Sequence, residues 1–186
     1  MSVFWKIVKE SIWILLFASI LSSIGGFGIE GIKEGIFYLL PLFILMPALN
    51  DMTGDYGTIV ASKFTTMLYM GRIKEKNWWR SHHLHRMLGE ILIIGTLSAV
   101  YITALASLIA RLKGFFMDWS LFQRILIMAL ATTWLLILIL FVVCVVGGFF
   151  VYKRKHDPDN YLIPLATGLA DLGSMLILAW LVRVLF

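Results

Sequence analysis

The sequence has a single cysteine, four prolines and only 15% charged residues in a chain of 186. The lone Cys144, set in an apolar run between Val143 and Val145, permits no internal disulfide. Soluble domains carry about 25% charged residues, so the shortage of charge excludes that class. With 60% hydrophobic residues and a mean hydropathy of +0.90, water is not the main solvent of this chain. A continuous basic face is also missing, so the net charge of +5 does not point to a nucleic-acid partner. Basic side chains that flank apolar segments read instead as membrane-surface anchors. No low-complexity stretch, long linker or internal repeat divides the chain, and residues 1–186 read as one membrane domain. Nor do several acids gather in one short helical stretch beside a nucleophile and base. A metal-dependent lipid-headgroup transferase is thereby left as a distant alternative, and the chain does not read as an enzyme. The nine methionines read as packing.

What the chain has is long apolar runs. A bilayer core takes about 20 mostly apolar residues in a helix, and four stretches supply that: roughly 10 to 28, 91 to 112, 125 to 151 and 161 to 186. Lys6 and Lys9 before the first imitate a signal peptide, but the later spans argue for an uncleaved first helix. The segment after it is different. Ile36 to Leu49 is apolar but short of a span, a polar run from Asn50 to Asp55 follows, and Ile59 to Met70 is apolar again. Pro41 and Pro47 interrupt the helical ladder there, so the whole reads as one broken crossing. The expected fold is all-α, with five transmembrane helices of which the second is broken.

Lysine and arginine test that count. Lys6 and Lys9, then Arg72, Lys74, Lys76, Arg80 and Arg86, then Lys153, Arg154 and Lys155 fall in alternate connections, while the opposite ones hold Lys33, Arg111, Lys113 and Arg124. The positive-inside rule then places the N-terminus in the cytoplasm and the C-terminus outside. Trp78, Trp79 and Trp119 fall at headgroup depth, and Arg183 can snorkel outward. In the third span Gly95, Ala99, Thr103 and Ser107 recur every four residues, a small-residue stripe that lets another helix approach closely.

The polar residues inside the apolar layer carry the functional signal. Asp171 lies about ten residues into the last span, near the bilayer middle at 1.5 Å per residue. A carboxylate there costs about 2.5 to 3.5 kcal/mol and is tolerated where it lines a wet cavity or is paired. Pairing with Lys63 or neighbouring hydroxyls is the bland reading; an ion or proton site is the functional one. Thr167 sits one turn earlier on the same face, Gly168 and Gly173 leave backbone oxygens accessible, and Pro164 would free the carbonyl of Asn160 near the cytoplasmic mouth. Asp51 and Asp55, four residues apart, share a face if helical and repel unless a cation or proton intervenes. Discontinuous helices with such groups often build transporter sites. His82, His83 and His85 offer ligand spacing but no supporting cysteine or carboxylate except Glu90, so they read as an interfacial loop.

Pro47, Gly54-Asp55, Ala61-Ser62-Lys63, Gly71, Asp157-Pro158-Asp159-Asn160, Pro164 and Leu169-Ala170-Asp171, in this order, resemble the five-span domain of the MgtE and solute carrier family 41 divalent-cation transporters. The resemblance implies a single five-helix unit without cytoplasmic regulatory domains, and that Asp171 is the central ligand for hydrated Mg²⁺ with backbone near Thr167 assisting. It also implies a homodimer with the ion path on its two-fold axis, since animal members resemble two such units in one polypeptide. Bacterial members carry Gly-Asn where Gly54-Asp55 stands, so an extra negative charge is expected along the path.

The function expected is a homodimeric divalent-cation transporter or channel of the plasma membrane, carrying Mg²⁺ past Asp171, Thr167, Asp55 and Asp51 and using no organic cofactor. Mg²⁺ dehydrates reluctantly, so carboxylates that contact its water shell select by cavity size and still let it leave. Exchange coupled to H⁺ or Na⁺ is the alternative within transport.

Overall fold

The structure is a computed structural model that describes residues 3–32, 39–73 and 75–186. Five long helices follow one another: α1 (Val3–Glu30), α2 (Leu40–Tyr69), α3 (His82–Leu112), α4 (Trp119–Lys153) and α5 (Pro158–Leu185), with a 3₁₀ turn, Glu75–Arg80, ahead of α3. No strand occurs among the described residues. Lys33, Glu34, Lys74 and the expected start of the second crossing at Ile36 lie outside them. Four helices, α1, α3, α4 and α5, are long and apolar enough to cross a membrane.

The helix expected to be a broken second crossing, α2, is continuous. Pro41 stands in the first turn of α2, where a missing amide hydrogen costs nothing, and Pro47 lies inside a helix that continues through it. One lost ladder bond does not end a 30-residue helix whose other bonds persist on both sides. The polar run Asn50–Asp55 that reads as a break lies within this helix and takes up nearly two of its turns. His82, His83 and His85 likewise belong to the first turn of α3 and not to a loop.

Local chemistry explains the helix ends. Gly71 and Gly114 take φ +67° and +84°, a left-handed conformation open to glycine, and they stop α2 and α3. Asp118 caps α4 by accepting from the Leu121 amide at 2.9 Å. Asp157 caps α5, with Pro158 next at a position that needs no donor.

α5 is central: it packs against α1, α2 and α4, while α3 packs on α2 and α4. The approach of α1 to α5 is close. A Cβ on Gly168 would fall 2.8 Å from Ala18 Cα, and one on Gly25 3.1 Å from Leu172 Cα. The expected stripe on α3 is buried, and Gly95 admits Ile137 and Thr133 of α4.

Two apolar cores fill the bundle. One joins Tyr56, Val60 and Phe64 of α2 to Ala166 and Ala170 of α5 and to Ile91 and Ile137. The other joins Leu42, Leu45 and Leu49 to Leu178 and Val182, with Ala99 and Ile125. Met52 touches both. Between them, on α2 and α5, lies a band made of residues 50–55 and 171–174. Contacts also sort the helix ends. Glu10 meets His156, Tyr69 meets Tyr152 and Lys63 meets Glu90 at one end, whereas Arg183 meets Gly31 and Arg124 meets Leu185 at the other. The connections richest in lysine and arginine thus share one end of the bundle.

Candidate functional site

Asp171 stands half-way along α5, and the glycine contacts decide what surrounds it. Because Gly168 and Gly25 let α1 and α5 nearly touch, Ser22 of α1 reaches the carboxylate and donates its hydroxyl to Oδ2 at 2.6 Å. From α2, Asn50 Nδ2 donates to Oδ1 at 2.8 Å. The Ser174 hydroxyl, one turn along α5, donates to Asn50 Oδ1 and also lies 3.0 Å from the Asp171 carbonyl oxygen. An amide has one acceptor end and one donor end, so holding Oδ1 turns Nδ2 toward Asp171. Neutral donors therefore fix the carboxylate without cancelling its charge. Lys63 is not its partner, since that ammonium lies 3.5 Å from Glu90.

In front of this carboxylate is a cavity of about 350 Å³. α2 lines it with Pro47, Asn50, Asp51, Gly54, Asp55 and Thr58, and α5 with Thr167 and Asp171. All four site residues expected from the sequence, Asp171, Thr167, Asp55 and Asp51, thus face one space. Positions 47, 51, 54, 55 and 58 recur at three- and four-residue intervals, so an unbroken helix puts them on one face. Gly54 keeps the wall open: a Cβ there would meet Thr167 Cγ2 at 3.8 Å, and a larger side chain would enter the cavity.

The lining is rich in acceptors and holds no cationic side chain. Thr167 gives its proton to the Ile163 carbonyl at 3.1 Å, and Thr58 gives its own to the Asp55 carbonyl at 2.9 Å. Both hydroxyls are left with lone pairs for the cavity. Three carboxylates and two such hydroxyls suit a ligand that presents donors or positive charge. Among the described residues no three His, Cys, Asp or Glu side chains come close enough to hold a bare metal ion together. A hydrated ion fits better. Six waters at about 30 Å³ each occupy roughly 180 Å³, within the space available.

Asp51 and Asp55 are exposed on the outer face of α2, and the exposed Ser62 and Thr66 continue that face. Hydrocarbon cannot cover such a stripe without large cost.

Sequence reasoning did not single out Ser22 or Ser174 as partners of Asp171. Ser174 is legible from i,i+3 spacing to Asp171; Ser22 offers only a hydroxyl within an apolar helix. Glu10 was also missed. It is buried in α1, accepting from Asn160 Nδ2 at 2.9 Å and lying 3.0 Å from His156 Nδ1. The Asn160 side chain is thus committed to a contact between α1 and α5. His85 Nδ1 lies 2.9 Å from the Ser81 carbonyl, and the three histidines form no metal cluster among the described residues.

Residues 46–181 match the family profile MgtE, divalent cation transporter. The chain is also 27% identical over 154 residues to solute carrier family 41 member 2 of Xenopus laevis, an alignment covering 80% of this chain and 26% of that protein. The chain therefore spans about a quarter of the length of that relative. No solved structure is significantly similar to it.

Proposed function

Since the chain belongs to the MgtE family, whose members are divalent cation transporters and not enzymes, we propose that it moves Mg²⁺ across the plasma membrane along the α2–α5 cavity. The observation that carries this reading is the composition of the cavity wall: three carboxylates, two hydroxyls with spent protons and no counter-cation. Waters held by a cation point their hydrogens outward, so a wall of acceptors fits them. Asp171 is the central group, aimed by Asn50 and Ser22, while Thr167, Asp55 and Asp51 contact the same hydration shell. An outer-sphere site of this kind binds without stripping the ion, which keeps both entry and exit fast.

The working unit in this reading is a homodimer. Asp51 and Asp55 are exposed on one chain, and each carboxylate placed against lipid costs about 2.5 to 3.5 kcal/mol. A second copy related by a two-fold axis would cover Asp51 and Asp55 and turn each half-cavity into one path with Asp171 from both sides. Lipid surrounds the remaining apolar faces, among them Trp13, Phe27, Ile93 and Leu97. The clustering of basic connections at one end supports a cytoplasmic N-terminus.

The test is reconstitution of the purified protein in liposomes with an internal Mg²⁺ indicator, with Ca²⁺, Mn²⁺ and Na⁺ measured in parallel. Flux that follows only voltage and the Mg²⁺ gradient is expected. A rate that instead depends on an imposed pH or Na⁺ gradient would establish coupled exchange, and absence of any divalent flux would refute the proposal.

A further inference from the structure

A second cleft, of about 400 Å³, opens between α2 and α3 at the basic end of the bundle. Its chemistry is the reverse of the first. Lys63, Arg72 and Arg86 line it together with His82 and His83, against the single carboxylate of Glu90. Counting the histidines as neutral, three cations face one anion, a net charge of +2.

That carboxylate does not use up its neighbours. Arg86 gives Glu90 its Nε at 2.9 Å, which leaves the terminal guanidinium nitrogens as donors, and Lys63 lies at 3.5 Å with three donors of its own. The Arg72 amide donates to the Met67 carbonyl at 3.0 Å, but its guanidinium makes no hydrogen bond or ion pair with any described residue. The N-terminus of α3 enters at His82, and the Ser81 side chain does not cap it, so the positive end of that helix adds to the field. Thr66 and Ser62 supply hydroxyls, and Met87 forms an apolar floor. Trp78 and Trp79, stacked at 3.7 Å in the adjoining 3₁₀ turn, are the ring type that sits at headgroup depth.

We propose that this cleft binds a phosphate-bearing anion, with Arg72 and Arg86 as its principal donors. Phosphate oxygens accept forked guanidinium donors, and both guanidinium groups have donors to spare. Two sources present that chemistry at this depth: the headgroup of an anionic lipid, and a soluble phosphate compound. The proposal does not rest on the ion path, because its readout is occupancy and not flux.

Native mass spectrometry of the intact protein, delipidated and then offered phosphatidate or phosphatidylcholine, tests it. Phosphatidate adducts should exceed phosphatidylcholine adducts, and Arg72→Gln should lower that excess about tenfold. Arg111→Gln, at the opposite end of the bundle, should leave it unchanged. Inorganic phosphate at millimolar concentration distinguishes the sources: displacement of the lipid assigns a site for free phosphate, and persistence of the lipid assigns a headgroup site. Equal uptake of both lipids with no phosphate binding, or an excess that Arg72→Gln and the further variant Arg86→Gln both leave intact, would overturn the proposal.

Discussion

Asp171→Asn is the most decisive perturbation, because it removes a charge while keeping the shape that Asn50 and Ser22 hold. With one water between them, a carboxylate and a divalent ion are about 4.5 Å apart and attract by about 2 kcal/mol at the dielectric of water and about 7 at an effective dielectric of 20. Taking the smaller figure, each substitution weakens binding about thirtyfold, and two in a dimer about a thousandfold. The fold should survive. The new amide oxygen can accept from Asn50 Nδ2 while its nitrogen donates to the Ser22 hydroxyl, whose own proton has the Ala18 carbonyl at 3.1 Å, and taking a charge out of mid-bilayer relieves the cost of burying it. The expected result is Mg²⁺ uptake near background at subsaturating concentration, with an unaltered elution profile and a thermal midpoint equal to or above that of the parent. Uptake within twofold of the parent, in vesicles shown to contain equal protein, would refute the argument that this carboxylate attracts the ion.

Three substitutions probe the supports of that charge. Ser22→Ala deletes a charge-assisted donor worth about 1.5 to 3 kcal/mol, so thermal stability should fall and uptake drop severalfold without reaching zero. Gly168→Leu forces a side chain into the backbone of α1, whose Ala18 Cα lies 2.8 Å from the new Cβ; it should cost at least about 1 to 3 kcal/mol, visible as an earlier melting transition in detergent. Gly54→Val meets no such barrier, since its Cβ would sit 3.8 Å from Thr167 Cγ2, and its methyls enter the cavity; flux should fall while the melting transition stays put.

Much of this arrangement is legible in residue order, and the unread parts have physical reasons. Five helices follow from apolar run lengths, and the four residues expected at the site do share a space because i,i+3 and i,i+4 spacing survives intact in α2 and α5. The break expected in α2 does not occur, since a polar face lining a cavity and an interruption between two short helices have the same local composition. Only the partner helix distinguishes them. Ser22 illustrates the same limit: its bond to Asp171 spans 149 positions and depends on Gly25 and Gly168 permitting close approach. Nothing in the immediate neighbourhood of Ser22 encodes it.

The treatment of Lys63 shows how the bundle sorts its charges. A lysine close in sequence to Asp51 and Asp55 reads as a counter-ion for them, and in a broken crossing such pairing would fill the site with a tethered cation. In the continuous α2 Lys63 stands eight residues, about 12 Å, beyond Asp55. Glu90 of α3 engages Lys63 instead, assisted by Arg86. Asp171 is left with neutral donors alone, and the cavity that Asp51 and Asp55 line holds no cationic side chain. In the proposed reading a mobile cation compensates these charges, most strongly where the acids converge, beside Asp171. A wall satisfied by its own lysine would, in that reading, draw the cation less strongly, and Glu90 engages Lys63 outside that wall.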